Sequence, residues 1–134
     1  MAIKYERVKK TMTINGEKED RYYASARITQ VVDQELIQKM IAEETSIQLE
    51  DVEIAMKQLG NQIQRLLTLG FSVKIDNVGI FSPTIKSKFV PSFDDVDNDV
   101  ITKVYTTFRP SGNMKKAMKK AGVKRTLEAK RKHM

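Results

Sequence analysis

Apolar and polar positions change their spacing several times along this chain. From Ile3 to Thr13 the apolar residues (Ile3, Tyr5, Val8, Met12) are scattered among charges, Asn15-Gly16 follows, and Tyr22 to Ile28 reads Y-Y-A-S-A-R-I. Asn-Gly accepts two successive positive φ angles, so the stretch predicts a β-hairpin. Asp33 to Glu44 moves to helical spacing, with Leu36, Ile37, Met40 and Ile41 on one stripe and Gln34, Glu35, Gln38, Lys39 and Glu43 opposite. Thr45-Ser46 interrupts it. A second helix is predicted from Leu49 to Leu69, striped by Val52, Ala55, Met56, Leu59, Ile63, Leu66 and Leu67. Glu50, Asp51 and Glu53 stand in its first turn, where carboxylates complement the positive end of the helix dipole. Two helices joined by a short turn cannot bury stripes this wide alone, and a second copy of the chain is the commonest way to cover them.

The stretch Leu66–Phe81 (L-L-T-L-G-F-S-V-K-I-D-N-V-G-I-F) organises the rest. Gly70 can stop the helix in the left-handed conformation. Phe71, Val73 and Ile75 then alternate with Ser72, Lys74 and Asp76, the mark of a half-buried strand, Asp76-Asn77 turns the chain, and Val78–Phe81 opens a second strand. Gly79 inside that strand implies a bend or a close backbone approach. Thr84 to Val90 is strand-like, Ser92 to Asp99 is a polar tract, and Val100 to Phe108 is β-branched and aromatic, so a long hairpin with a polar tip is expected. Its four aspartates lack the glycine and closing glutamate of an EF-hand loop. After Arg109-Pro110, Ser111 is a plausible N-cap for a short helix over Asn113–Ala121, with Met114, Ala117, Met118 and Ala121 inward. Gly122 ends it, and Val123–Met134 reads as a basic tail without structure of its own.

Composition narrows the function classes. The 134 residues are 40% hydrophobic and 31% charged, which describes one globular domain's worth of chain with a solvated surface. Without cysteine there is no disulfide framework, thiolate metal site or cysteine nucleophile. No apolar run has membrane-span length and the N-terminus lacks a signal-peptide core, so a cytoplasmic protein is expected. The single histidine is His133, and neither a glycine-rich phosphate loop nor a constellation of paired acids is present, which argues against an enzyme. No metal, cofactor or small-molecule substrate is expected. The net charge of +7 is lopsided: from Arg109 onward ten Lys and Arg face one acid, Glu128, a local +9 that leaves residues 1–108 at −2. Like charges this dense repel, so the natural partner is a polyanion, nucleic acid first.

The order helix, turn, long helix, hairpin with extended arm, closing strand, short basic helix resembles the HU and integration host factor family of bacterial DNA-bending proteins. V-K-I-D-N-V-G-I-F at Val73–Phe81 is similar to the family's V-x-L-x-x-F-G-x-F. F-R-P-S-G-N-M-K-K-A-M at Phe108–Met118 is similar to F-R-A-G-K-x-L-K-x-A-V, and the A-E-x-x-x-I turn at Ala42–Ile47 also fits. The likeness covers about Val32 to Ala121, and the added N-terminal hairpin resembles the longer HU-related proteins. It implies an α+β, HU-like fold: a two-helix body, a β-arm and a short C-terminal helix, in an intertwined homodimer (or a pair with a related HU-like chain). Residues 1–28 would be an N-terminal β-hairpin extension, 29–121 the HU-like DNA-binding domain and 122–134 the basic tail. Function by resemblance is histone-like, nucleoid-associated binding of double-stranded DNA, through phosphate contacts with little base reading.

The arm tip departs from that pattern. Where the family carries a basic flank and a wedging proline, this chain reads S-F-D-D-V-D-N-D, and acids repel phosphate. Intercalation is therefore not carried over, and the expected contacts move to Lys115, Lys116, Lys119, Lys120, Lys124 and Arg125, with Lys86, Lys88, Lys103 and Arg109 at the arm and its base. The alternative is an HU-derived interaction or assembly module that has lost strong DNA binding. RNA is a third possibility, but no aromatic platform for stacking single-stranded bases is evident.

Overall fold

The computed structural model describes residues 2–126, and residues 127–134, the end of the expected basic tail, lie outside them. The described residues form two compact units, one of residues 2–32 with 117–126 and the other of Asp33–Lys116.

In the first unit, β1 (Ile3–Ile14) and β2 (Glu17–Ala26) make the hairpin that Asn15-Gly16 predicts. Ile14 pairs with Glu17, so the loop has two residues, and both take positive φ (53° and 83°), the I′ conformation that matches the twist of the strands. A short strand, β6 (Val123–Arg125), lies parallel to β1 on its other side, with Ile3 opposite Val123. The sheet order is β2-β1-β6. Val123–Arg125, expected to be unstructured, is held because β1 has a free edge that three residues can satisfy: the amide of Ile3 donates to Gly122 O (3.0 Å) and that of Thr126 to Tyr5 O (3.0 Å). Local sequence carries no sign of a pairing between residues more than a hundred positions apart.

The second unit begins with α1 (Gln34–Glu44), N-capped by Asp33, whose carboxylate accepts from the Leu36 amide (3.1 Å). The helix α2 (Leu49–Thr68) follows and ends at Gly70, φ 89°. Then come β3 (Val73–Ile75), β4 (Gly79–Ser87) and β5 (Ile101–Pro110), an antiparallel sheet in the order β3-β4-β5. The first two are joined at Asn77, φ 66°. Gly79 is the close approach that its position inside a strand implied: a Cβ there would sit 2.2 Å from Arg109 O and 2.7 Å from the Phe108 ring. Beside it the rings of Phe81 and Phe108 pack at a tilt of 43°, with centroids 4.9 Å apart. Between β4 and β5 the chain forms two 3-10 turns, Phe93–Asp95 and Asn98–Val100, each capped from within: Ser92 Oγ accepts from the Asp94 amide (3.3 Å) and Asp97 Oδ1 from the Asp99 amide (2.9 Å).

The chain continues from β5 into α3 (Gly112–Ala121). Ser111 caps it as expected, its hydroxyl accepting from the Met114 amide (3.1 Å), and Gly122 (φ 68°) ends it. Asn113 Nδ2 donates to Asn77 Oδ1 (2.7 Å) and the Ser111 amide to Val78 O, which ties the helix start to the β3–β4 turn.

Burial is thin, and it differs from the helical pattern at one telling place. The buried residue of α1 is Gln38 (6% exposed), on the face expected to be polar, while Leu36, Ile37 and Met40 are exposed. On α2 only Val52 is buried; Leu59 is exposed and Met56, Ile63, Leu66 and Leu67 are half-covered. The stripes exist, but one chain does not cover them. Met118 of α3, expected inward, is likewise exposed.

Candidate nucleic-acid interface

The register of β3, β4 and β5 sorts their side chains into two unlike faces. Successive residues of a strand point to opposite sides, and the pairs Lys74↔Ile80, Ile80↔Arg109, Ser82↔Thr107, Thr84↔Tyr105 and Lys86↔Lys103 share one side. The other side carries Val73, Ile75, Phe81, Pro83 and Phe108, the apolar set that α2 covers in part. Hydrogen bonds confirm the polar side: Ser72 Oγ to Ser82 Oγ at 2.8 Å and Thr84 Oγ1 to Thr107 Oγ1 at 3.1 Å.

The charges on this face are all positive. It holds Lys74, Lys86, Lys103 and Arg109, and none of the three strands contains a single Asp or Glu. Lys86 and Lys103 face each other across the ladder, and both ammonium groups lie by the Tyr105 ring, 5.9 Å and 4.9 Å from its centroid. Two like charges directly opposite are unfavourable in a sheet, and the ring's electron-rich face offsets part of that cost. The cations and hydroxyls together are the side-chain set that binds phosphate and sugar oxygens.

Of the residues singled out from sequence, the structure thus brings Lys86, Lys103 and Arg109 onto one face. Lys74 was missed, although its place between Val73 and Ile75 gave the signal. Lys88 follows β4, where its amide donates to Val100 O (2.8 Å), and its side chain is exposed. Lys115, Lys116, Lys119 and Lys120 occupy α3 at the spacing that makes two adjacent rows, all exposed, on a helix without an acid. Lys124 and Arg125 stand on β6 in the first unit, beside Lys4 and Arg27.

The arm tip is different in character. Phe89 and Phe93 are fully exposed, among Asp94, Asp95, Asp97 and Asp99. Asp97 is committed to capping its turn, and among the described residues no three carboxylates or histidines gather as metal ligands. No described helix is long and apolar enough to cross a membrane.

This arrangement has known counterparts. Residues 1–125 match the family described as an HU domain fused to a winged helix-turn-helix, immunoglobulin or glycine-rich motif. The chain belongs to this HU-HIG family. The match takes in the N-terminal hairpin as well as the helices and arm, which places the chain among HU-related proteins broadly, not specifically in the HU and integration host factor group. The solved structure of a candidate bacterial DNA-binding protein from Bacteroides vulgatus ATCC 8482 is similar in fold, with a TM-score of 0.65 at 17% identity. The alignment covers 92% of this chain and 48% of that one, so this HU-HIG chain spans about half the length of its structural counterpart. No curated protein matches it.

Proposed function

We propose that this HU-HIG chain is a non-catalytic, histone-like protein that holds duplex DNA mainly through its phosphates, with little sequence preference. The observation that carries the reading is the acid-free polar face of β3-β4-β5, where register gathers four cations among serine and threonine hydroxyls. Four further lysines, on an acid-free helix, stand on α3. Such a surface displaces condensed counterions from DNA, so affinity falls steeply with salt. Family membership and the fold's likeness to a candidate DNA-binding protein support the same reading.

The working species is a dimer, a homodimer or a pair with a related chain. The exposed stripe of Leu36, Ile37, Met40 and Leu59 supports this. Nucleoid association follows from the same binding mode.

A salt titration of duplex binding tests the reading, run on the full chain and on a Lys86→Gln/Lys103→Gln variant. A steep log–log dependence is expected, shallower in the variant by about 0.9 for each phosphate no longer neutralised, and two duplexes of unrelated sequence should bind alike. A full chain that ignores duplex at low salt overturns the proposal. The exposed Phe89 and Phe93 amid aspartates favour a second reading, an assembly module that docks a basic protein surface at the arm tip. That reading predicts little DNA binding even at low salt.

A further inference from the structure

In the N-terminal unit a pocket joins Lys124 and Arg125, expected from sequence to meet phosphate, with Lys4 and Arg27, which were not. Three basic residues lie in a row across the unit's sheet. Lys4 on β1 is opposite Lys124 on β6. On the other side the ladder that pairs Tyr5 with Ala26 continues to Arg27, whose amide donates to Lys4 O (2.8 Å). Adjacent strands are about 4.8 Å apart, so Arg27, Lys4 and Lys124 are immediate neighbours on one face. With Arg125, Thr29 and Thr126 they line a pocket of about 430 Å³, and no acid stands among its described lining residues. Among the described residues none of the four cations is paired with a carboxylate. The nearest acid on the same face of β1 is Glu6, two residues along, and it does not line the pocket.

Like charges directly opposite one another weaken a sheet, and here they fall where β6, only three residues long, has least to hold it. The row is unfavourable until an anion lies across it. Arg27 is half-buried, its backbone held by the bond of its amide to Lys4 O, and Thr126 is held on Tyr5 O by its amide and hydroxyl (3.0 and 3.3 Å), which leaves the cations and the Thr29 hydroxyl as the donors for an anion. A phosphate, with several acceptor oxygens, fits this set of guanidinium, ammonium and hydroxyl donors.

We propose that Lys4, Arg27 and Lys124 form a phosphate-binding row that gives the N-terminal sheet its own grip on the backbone of duplex DNA. The proposal rests on the reading of the chain as a duplex binder. The hairpin then has a function of its own, because a second point of attachment on the same chain raises overall affinity through effective concentration, without new base reading. It also makes β6 part of a built site whose pairing tightens when DNA binds.

The test uses the full chain with duplex DNA and with inorganic phosphate at constant ionic strength. Lys4→Gln/Lys124→Gln should weaken duplex binding several-fold at low salt and make the salt dependence shallower by about 0.9 per phosphate released. Lys10→Gln/Lys18→Gln, the same charge change at the far end of the hairpin, should have a smaller effect on both. Hydrogen exchange on the unaltered chain gives a readout independent of any variant: duplex should protect the amides of Ile3 and Thr126, which close the β1–β6 ladder. If the two variants weaken binding equally, or those amides are unprotected by duplex, the pocket proposal fails while DNA binding stands. If inorganic phosphate protects them and duplex does not, the pocket serves a free anion and the duplex assignment falls. A chain that binds no duplex at all overturns both this proposal and the one it rests on.

Discussion

At Gly79 two requirements meet that no other residue satisfies: a φ of 153° and a carbonyl 2.2 Å from where a Cβ would lie. Neither Arg109 O nor the Phe108 ring can retreat, since both belong to the ladder and the Phe81–Phe108 pair. Gly79→Ala should therefore cost about 3 kcal/mol, strain and overpacking together, seen as a lower urea midpoint with an unchanged slope. Asp33 is a simpler case. Its carboxylate satisfies one otherwise orphaned amide of α1, and Asp33→Ala should cost about 1 kcal/mol in the same assay. Lys86 and Lys103 show the opposite balance, in which a local cost, two cations opposite one another beside Tyr105, is accepted at the surface proposed to hold DNA.

At the scale of elements, α3 and the arm tip oppose each other electrostatically. The helix offers four lysines and no acid; the tip offers four aspartates and two bare phenylalanines. Replacing Lys115, Lys116, Lys119 and Lys120 by Gln should make the salt slope of duplex binding shallower by about 0.9 for every lysine that meets a phosphate, without unfolding a helix whose propensity Gln preserves. Asp94, Asp95 and Asp99 can be changed to Asn without removing the Asp97 cap. If the arm lies along DNA, that triple change should raise duplex affinity several-fold at low salt, measured by fluorescence anisotropy. An unchanged affinity would place the tip away from DNA and favour its use as a protein-docking surface.

At the scale of the molecule, the decisive fact is how little of the apolar pattern one chain covers. Leu59, 45% exposed, lies on a stripe whose neighbours Met56 and Ile63 are half-buried. In a monomer Leu59→Asp would change stability by no more than about 0.5 kcal/mol, as exposed substitutions do. In the proposed dimer it should dissociate the pair, seen by sedimentation as halved mass. It should also abolish the rise of Tm with protein concentration that a folded dimer shows.

Where local chemistry decides conformation, the sequence by itself determined the outcome. Asn15-Gly16 set a two-residue turn, Ser111 and Gly122 bounded α3, Gly70 ended α2, and Gly79 marked a close approach, because each depends on neighbours a few positions away. The HU-like order of helices and arm was legible for the same reason, since its motifs are short and its periods local. The tertiary structure alone decided what distant segments do to one another. It placed Val123–Arg125 as a third strand beside β1, buried Gln38 in place of the apolar stripe of α1, and aligned Lys74 with Lys86, Lys103 and Arg109 through a three-strand register. Pairing between far-apart strands depends on which edges are left free and which faces are left uncovered. Those are properties of the assembled sheet, and no local run of residues encodes them.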